Sequence, residues 1–195
     1  VIDITVEGCA NVYGSSPCEA SLVENRITYS ETLDNWTHDN AVITIYPDNP
    51  GSFPSGATES ARVESLGVAL FLQTEIDSAE KPSLGSNFRA SFAIAFDQVT
   101  EIQALFGGSS IYFDNTGAVS SPPTGFTASA TADGAWWICE ISGPCNSVDF
   151  SLVMSAPALF GAGDGYWISR VSIIENPAAP DTYVKTTASP VYGTG

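Results

Sequence analysis

The stretch that decides the fold spans residues 165–187 and reads GYWISRVSIIENPAAPDTYVKTT. Its first half, residues 166–174, is rich in β-branched and aromatic side chains, which is typical of a β-strand. Alternation assigns one face to Trp167, Ser169, Val171 and Ile173, and the other to Tyr166, Ile168, Arg170, Ser172 and Ile174. Apolar groups on both faces predict an inner strand of a β-sandwich. Pro177 and Pro180 then end the strand, because proline has no N–H to donate.

The remaining segments with strand character are short, and turns rich in Gly, Pro, Asn and Asp separate them. They are residues 1–6, 41–46, 62–64, 68–73, 88–96, 100–106, 110–113, 126–132, 133–142 and 148–154. The clearest alternation places Phe88, Phe92 and Phe96 on one side and small or polar residues on the other. No long segment combines a helical period with caps. The chain is therefore predicted to be all-β, an antiparallel sandwich.

The charge of the chain excludes two classes of partner. Among its 195 residues are 22 Asp and Glu but only six Lys and Arg, so the formal net charge is −16. Such a surface repels nucleic acid and anionic membranes, which bind proteins through Lys and Arg. No apolar run approaches the roughly 20 residues that span a bilayer. We therefore expect no nucleic-acid partner and no membrane insertion.

The four cysteines form two close pairs. Cys9 and Cys18 bracket one turn-rich loop, and Cys139 and Cys145 bracket another. Loops with Gly and Pro can bring two α-carbons within the distance that a disulfide needs. We predict the local disulfides Cys9–Cys18 and Cys139–Cys145, although four cysteines allow three pairings. Zinc is disfavoured because the spacings are too long and the sequence has one histidine.

Three stretches share motifs with one group of viral proteins. Residues 25–36 read NRITYSETLDNW, residues 133–142 read DGAWWICEIS, and residues 163–187 add GD to the stretch quoted first. Together they resemble the carbohydrate-binding-module-like β-sandwich domains of bacteriophage tail-fibre and other virion proteins. Residues 9–20, CANVYGSSPCEA, are similar to a small cysteine-closed loop of phage tail proteins. Asn176-Pro177 departs from the pattern, which has Gly after the final Glu.

The resemblance implies a domain organisation. Residues 1–24 would form an N-terminal arm with a disulfide-closed loop, and residues 25–187 a jelly-roll β-sandwich. Residues 188–195 would be a C-terminal tail or linker. Fibre domains of this kind are often threefold, so the resemblance also suggests a homotrimer.

Catalytic and metal motifs are weak in this sequence. His38 is the single histidine, and no Gly-x-Ser-x-Gly elbow accompanies it. The glycines between Gly161 and Gly165 are not followed by a helical pattern, so they do not predict a phosphate loop. Calcium could be held by oxygen atoms of Asp34, Glu31, Asp164 or Glu175, but no EF-hand spacing supports a site. We expect no catalytic residue, no resident metal and no cofactor, with calcium as the open alternative.

Sugar binding needs exposed aromatic faces with hydrogen-bonding groups nearby. The candidate ligand-binding residues are Trp136, Trp137, Tyr112 and Trp167. Neighbouring residues on a strand face opposite ways, so one of Trp136 and Trp137 is expected to point outward. The alternative is that all of these aromatic side chains belong to the core, as we expect for Trp36.

The resemblance implies a non-catalytic virion protein, located on the extracellular particle. Its leading function is a tail-fibre or surface domain that contacts host-surface polysaccharide and other virion proteins. One alternative is a capsid or tail decoration or assembly protein that recognises no glycan. Another alternative is an accessory module of a polysaccharide-degrading enzyme.

Overall fold

The computed structural model describes residues 33–46, 53–67, 71–75, 84–107, 109–120, 122–147, 151–155, 161–175 and 186. These residues form one 3₁₀ turn, Leu33–Asn35, and eleven strands, without an α-helix. The strands are β1 (His38–Asp39), β2 (Ala41–Tyr46), β3 (Ser60–Ser65), β4 (Phe71–Glu75), β5 (Asn87–Phe96), β6 (Glu101–Phe106), β7 (Ser109–Asp114), β8 (Thr127–Asp133), β9 (Trp136–Pro144), β10 (Ser151–Ser155) and β11 (Gly165–Ile174). The predicted strand 1–6, the predicted arm with Cys9 and Cys18, and the predicted tail lie outside this part of the chain.

The strands pair in two antiparallel sheets. Within the described residues, one sheet has the order β1-β4-β10-β6-β7 and the other β2-β3-β11-β5-β9-β8. Their inner faces share one core: the rings of Phe88 and Phe106 are 4.4 Å apart between centroids, and those of Phe92 and Phe113 are 5.6 Å apart. The predicted all-β antiparallel sandwich is confirmed, whereas the jelly-roll connection stays a prediction. None of the described segments is a helix that could span a membrane.

Strand β5 supplies the centre of this core. Phe88, Phe92 and Ile94 are fully buried on its inner face, and Phe96 packs against them. Burying each phenylalanine stabilises the fold by roughly 1.5–3 kcal/mol relative to an exposed ring. The outer face of β5 carries only small side chains around Ala93 and Ala95. The predicted alternation is therefore confirmed, and it leaves space over the outer face for larger neighbours.

Strand β11 confirms one prediction and corrects another. It pairs with both β3 and β5, so it is an inner strand as expected. Its register shifts between Ser169 and Ser172, where Arg170 adopts a positive φ of 54°. This bulge adds one residue and exchanges the faces beyond it. Val171 therefore lies in the main core with Tyr166 instead of sharing a face with Trp167. Strict alternation was wrong from Arg170 onward.

The predicted Cys139–Cys145 disulfide is wrong, because both side chains are buried thiols that are not joined by a disulfide bond. Gly143 and Pro144 do not turn the chain; they continue β9. Cys145 then exchanges backbone hydrogen bonds with Gly85 and Ser86, which precede β5. Six steps of extended chain, from Cys139 to Cys145, put the two α-carbons about 20 Å apart, well beyond the roughly 7 Å limit for a disulfide. Gly143 is needed for packing, since a Cβ there would lie 2.1 Å from the Phe126 ring.

Both thiols should be detectable chemically. Without reductant, iodoacetamide should alkylate Cys139 and Cys145 once the chain is unfolded, and alkylate them only slowly while it is folded. Burial protects both side chains and raises the pKa of the Cys139 thiol, which further lowers its thiolate fraction. Peptide mass spectrometry reads each position, with a reduced sample as control. A cross-linked peptide containing either cysteine would contradict this arrangement.

Tyr166 offers a test of the core. Its side chain is fully buried, and its hydroxyl has no hydrogen-bond partner among the described residues. An unsatisfied buried hydroxyl costs about 1–3 kcal/mol. We expect Tyr166→Phe to raise the free energy of unfolding by about 1 kcal/mol at pH 7, measured by urea denaturation. The side chain of Tyr112 on β7 is only half-buried, so Tyr112→Phe is the matched control. It should change the free energy of unfolding by less than about 0.5 kcal/mol.

The difference in the free energy of unfolding between Tyr166→Phe and the wild type should grow at alkaline pH. Burial raises the pKa of Tyr166, so the folded chain keeps this proton when unfolded tyrosine ionises above about pH 10. The unfolded state then binds fewer protons, and the stability of the wild type falls as the pH rises. Tyr166→Phe removes this contribution, so its advantage should be larger at pH 11 than at pH 7. A variant that is less stable at both pH values would show that the hydroxyl is bonded.

Candidate functional site

A second aromatic cluster lies on the outer face of the six-stranded sheet. Trp167 pairs with Ala95, and Trp137 pairs with Ile94, so Trp136 also lies beside Ala95. Trp136 and Trp167 thus fill the space over the alanines of β5, with Tyr46 and Ile138 packed against them. Trp136 is 1% exposed and Trp167 is 8% exposed. This outer face is therefore an apolar layer of its own, separate from the sandwich core.

The segment before β3 reaches the corner where Trp136 lies. The backbone N–H of Ser55 donates a 2.7 Å hydrogen bond to the Asp133 carboxylate. Asp133 pairs with Trp136 at the end of the β8–β9 hairpin. The nearby Pro54 is buried. The described residues just before β3 are thus tied through Ser55 to the opposite edge of the same sheet.

Arg62 of β3 lies over this cluster. Its register partner is Trp167, and its guanidinium carbon is 5.3 Å from the centroid of the Trp167 ring. The Tyr46 ring meets the same indole edge-on, with centroids 5.0 Å apart. A cation over an indole face is attracted by the ring electrons, and the aromatic surface fixes the plane of the guanidinium. The Trp167 ring is therefore the surface against which the Arg62 guanidinium is oriented.

The N–H groups of Arg62 are directed to four oxygen atoms. Nε donates to Glu64 at 3.0 Å, Nη1 donates to Asp97, and Nη2 lies 3.4 Å from both the Gln98 side-chain oxygen and the Gly163 carbonyl oxygen. Burial opposes the charged form, but the hydrogen bonds and charges of Glu64 and Asp97 outweigh it and raise the pKa of Arg62. Arg62 is therefore a permanent cation that pairs with Glu64 and Asp97 and lies near the Gln98 side-chain oxygen.

Gly165 leaves the space between Glu64 on β3 and Asp97 free of an intervening side chain. It pairs with Glu64, and Asp97 follows Phe96, which pairs with the next residue of β11. A Cβ at Gly165 would lie 2.3 Å from the Val63 carbonyl oxygen, so a side chain does not fit there. Strand β11 thus places no side chain between Glu64 and Asp97.

We name Tyr46, Arg62, Glu64, Asp97 and Gln98 the Arg62 patch. The side chains of Glu64 and Asp97 are 35% and 36% exposed, Gln98 is exposed, and Tyr46 is half-buried. Each carboxylate has lone pairs beyond those that Arg62 uses. The patch therefore presents fixed hydrogen-bond acceptors beside an aromatic side chain, which suits a ligand that carries hydroxyl groups.

The four predicted ligand-binding residues are divided among different surfaces. Trp136 and Trp167 meet on one face, whereas Trp137 lies on the opposite face and Tyr112 on the other sheet. The expectation that Trp136 and Trp137 point opposite ways is confirmed, but the outward ring is covered. Neither Trp136 nor Trp167 is an exposed stacking platform. Trp36 is buried in the main core, as expected.

The sequence interpretation missed Arg62, Glu64, Asp97 and Gln98. One signal was present, because alternation in residues 62–64 places Arg62 and Glu64 on the same face. The contribution of Asp97 depends on the pairing of β3, β11 and β5, which the sequence pattern did not specify.

The described residues bring together no group of three or more His, Cys, Asp or Glu that could hold a metal. Of the calcium candidates, Asp164 accepts a 2.8 Å hydrogen bond from the Gly161 N–H, and Asp34 accepts one from Asn35. Glu31 lies outside the described residues. His38 is exposed on β1, and its Nδ1 is 3.0 Å from the Trp36 carbonyl oxygen.

No protein-family model and no curated protein matches the sequence of this chain. Among solved structures, it is similar to the enzymatically active domain of tailspike protein 4 of bacteriophage CBA120, with 14% identity and a TM-score of 0.48 over 76% of this chain. The matched region spans 21% of that structure. A carbohydrate-binding module with specific mannan recognition is 12% identical, with a TM-score of 0.38 over 80% of this chain and 97% of the module.

The Trp137 ring lies against the backbone of Gly117, which gives a test of its placement. Gly117 has a φ of 80°, and a Cβ there would lie 2.2 Å from the Trp137 ring. We expect Gly117→Ala to lower the free energy of unfolding by about 3 kcal/mol, from backbone strain and overpacking together. Gly134→Ala is the matched control, since its φ is 64° but no atom lies near the added Cβ. It should lose about 1 kcal/mol. Equal losses in thermal or urea unfolding would contradict the contact.

Proposed function

We propose that this chain is a non-catalytic domain of a bacteriophage virion that binds glycan through the Arg62 patch. The observation that carries the proposal is that Arg62 is hydrogen-bonded to both Glu64 and Asp97 while its guanidinium packs on the Trp167 ring. The virion location, the jelly-roll connection and a homotrimeric state are supported by the sequence resemblance of residues 25–36, 133–142 and 163–187. Other virion chains are the protein partners that this location implies.

The geometry favours binding of hydroxyl-rich ligands because the acceptors are already ordered. Holding a flexible carboxylate side chain in place on binding costs about 0.5–1.5 kcal/mol. Arg62 fixes Glu64 and Asp97 before a ligand arrives, so less of this cost remains at the moment of binding. Neighbouring hydroxyl groups of a sugar ring can each donate to one of these oxygens. The half-buried Tyr46 adds an apolar contact for the C–H groups of the ring.

The same contacts argue against glycoside cleavage at this patch. A retaining or inverting glycosidase needs one carboxyl group that carries a proton in apolar surroundings, and a second one across the scissile bond. Glu64 and Asp97 are both partly exposed, and both accept hydrogen bonds from the same guanidinium. Neither carboxylate is enclosed in apolar surroundings. The patch is suited to holding a sugar without breaking it.

A glycan array tests the proposal. Asp97→Ala combined with Gln98→Ala removes two acceptors, and we expect glycan binding to weaken at least about tenfold, since a hydrogen bond to a charged group contributes about 1.5–3 kcal/mol. Asp34→Ala with Asn35→Ala is the matched control, an exposed acid and amide in the 3₁₀ turn, and it should bind like the wild type. Thermal unfolding confirms that both variants are folded.

Three outcomes would overturn the proposal. Absence of binding to every glycan, with co-purification of the chain in the particle, would favour a decoration or assembly role. Unchanged binding by the Asp97 and Gln98 variant would place the sugar elsewhere. Release of reducing ends from a polysaccharide by the purified chain would favour a degrading enzyme.

A further inference from the structure

We infer that the Arg62 patch selects uncharged glycans and rejects acidic ones, and that Glu64 and Asp97 are the residues that set this preference. The inference rests on the proposed function and deepens it. An arginine on an open sheet face would ordinarily suggest the opposite, a receptor for carboxylate or phosphate groups, because its planar fork binds both groups through paired hydrogen bonds.

In this chain the guanidinium N–H groups of Arg62 already donate to acceptors of the protein itself. Two of its nitrogen atoms donate to Glu64 and Asp97, and the third faces Gln98 and the Gly163 carbonyl oxygen. Both carboxylates belong to the same folded chain, so they compete with a ligand carboxylate at a high effective concentration. An acidic sugar would have to displace one of them and leave it near the arriving charge. Arg62 therefore orients acceptors and does not itself receive an anion.

The charges around Arg62 reinforce this conclusion. One cation and two carboxylates give the patch a formal charge of −1, within a chain of net charge −16. Asp164 adds a further acid beside Gly163. A ligand carboxylate at hydrogen-bond range from Glu64 or Asp97 would be repelled, and at a protein surface this repulsion is sufficient to weaken binding about tenfold or more. A hydroxyl group in the same position donates a hydrogen bond instead.

The test uses pairs of oligosaccharides that differ only in whether C6 carries a hydroxyl or a carboxylate. For each backbone that binds, we expect the hexose form to bind at least about tenfold more tightly than the hexuronate form at low ionic strength. The ratio should shrink as salt is added, since salt screens exposed charges. Affinities are measured by calorimetry on the whole chain, so that both members of each pair are compared under one condition.

A charge-neutralised variant identifies the residues responsible. Glu64→Gln with Asp97→Asn frees the fork of Arg62 and should reduce the hexose preference to about twofold or reverse it. Asp34→Asn with Glu101→Gln makes the same change in net charge at the 3₁₀ turn and on β6, and should keep the preference. If the double variant does not fold, Asp97→Asn alone should reduce the preference in the same direction.

The possible results distinguish failure of the inference from failure of the proposed function. Equal or tighter binding of hexuronate by the wild type overturns the inference and leaves the proposed function intact. A preference that both charge variants reduce equally also overturns it, because overall charge would then be the cause. If no member of any pair binds, the proposed function fails and the inference fails with it.

Discussion

The two faces of strand β5 impose the constraint on which the rest of the structure depends. On the inner face, Phe88, Phe92 and Ile94 join the two sheets into one core. On the outer face, Ala93 and Ala95 are too small to cover the sheet, so the neighbouring strands supply Trp136 and Trp167. The large residues on the inner face of β5 therefore join the two sheets into a sandwich. The small residues on its outer face leave room for an aromatic layer that can support a polar group.

Arg62 turns that aromatic layer into a site. Its guanidinium rests on Trp167 and binds Glu64 from its own strand and Asp97 from beyond β5. One of the six basic residues of this strongly acidic chain thus pairs with two of its carboxylates. Exposed ion pairs of this kind contribute little to stability, typically 0–1 kcal/mol each. Their importance here is that they order surface oxygen atoms, which connects the packing of the sheet to the proposed recognition of hydroxyl groups.

The sequence predicted features that depend on local alternation and missed those that depend on pairing between distant strands. The two faces of β5, the inner position of β11 and the burial of Trp36 follow from apolar patterns in short windows. The bulge at Arg170 and the extended course of Gly143-Pro144 do not, because the same residues also suit a regular strand or a turn. The aromatic candidates were chosen by residue type, but tryptophans beside alanines become packed instead of exposed. Asp97 is 35 positions from Arg62, so only the completed sheet joins them.

The most direct test of this account is an NMR measurement of the Arg62 side chain in the free protein. If Arg62 is held in this way, its Nε–H gives a resolved signal that exchanges slowly, and its methylene protons are shifted upfield by the Trp167 ring. Both effects should be lost in Trp167→Leu, and the Nε–H signal should move in Glu64→Gln. An Arg62 signal that exchanges rapidly, shows no ring shift and ignores both substitutions would contradict the central claim that Arg62 is held between Glu64 and Asp97 on an aromatic base.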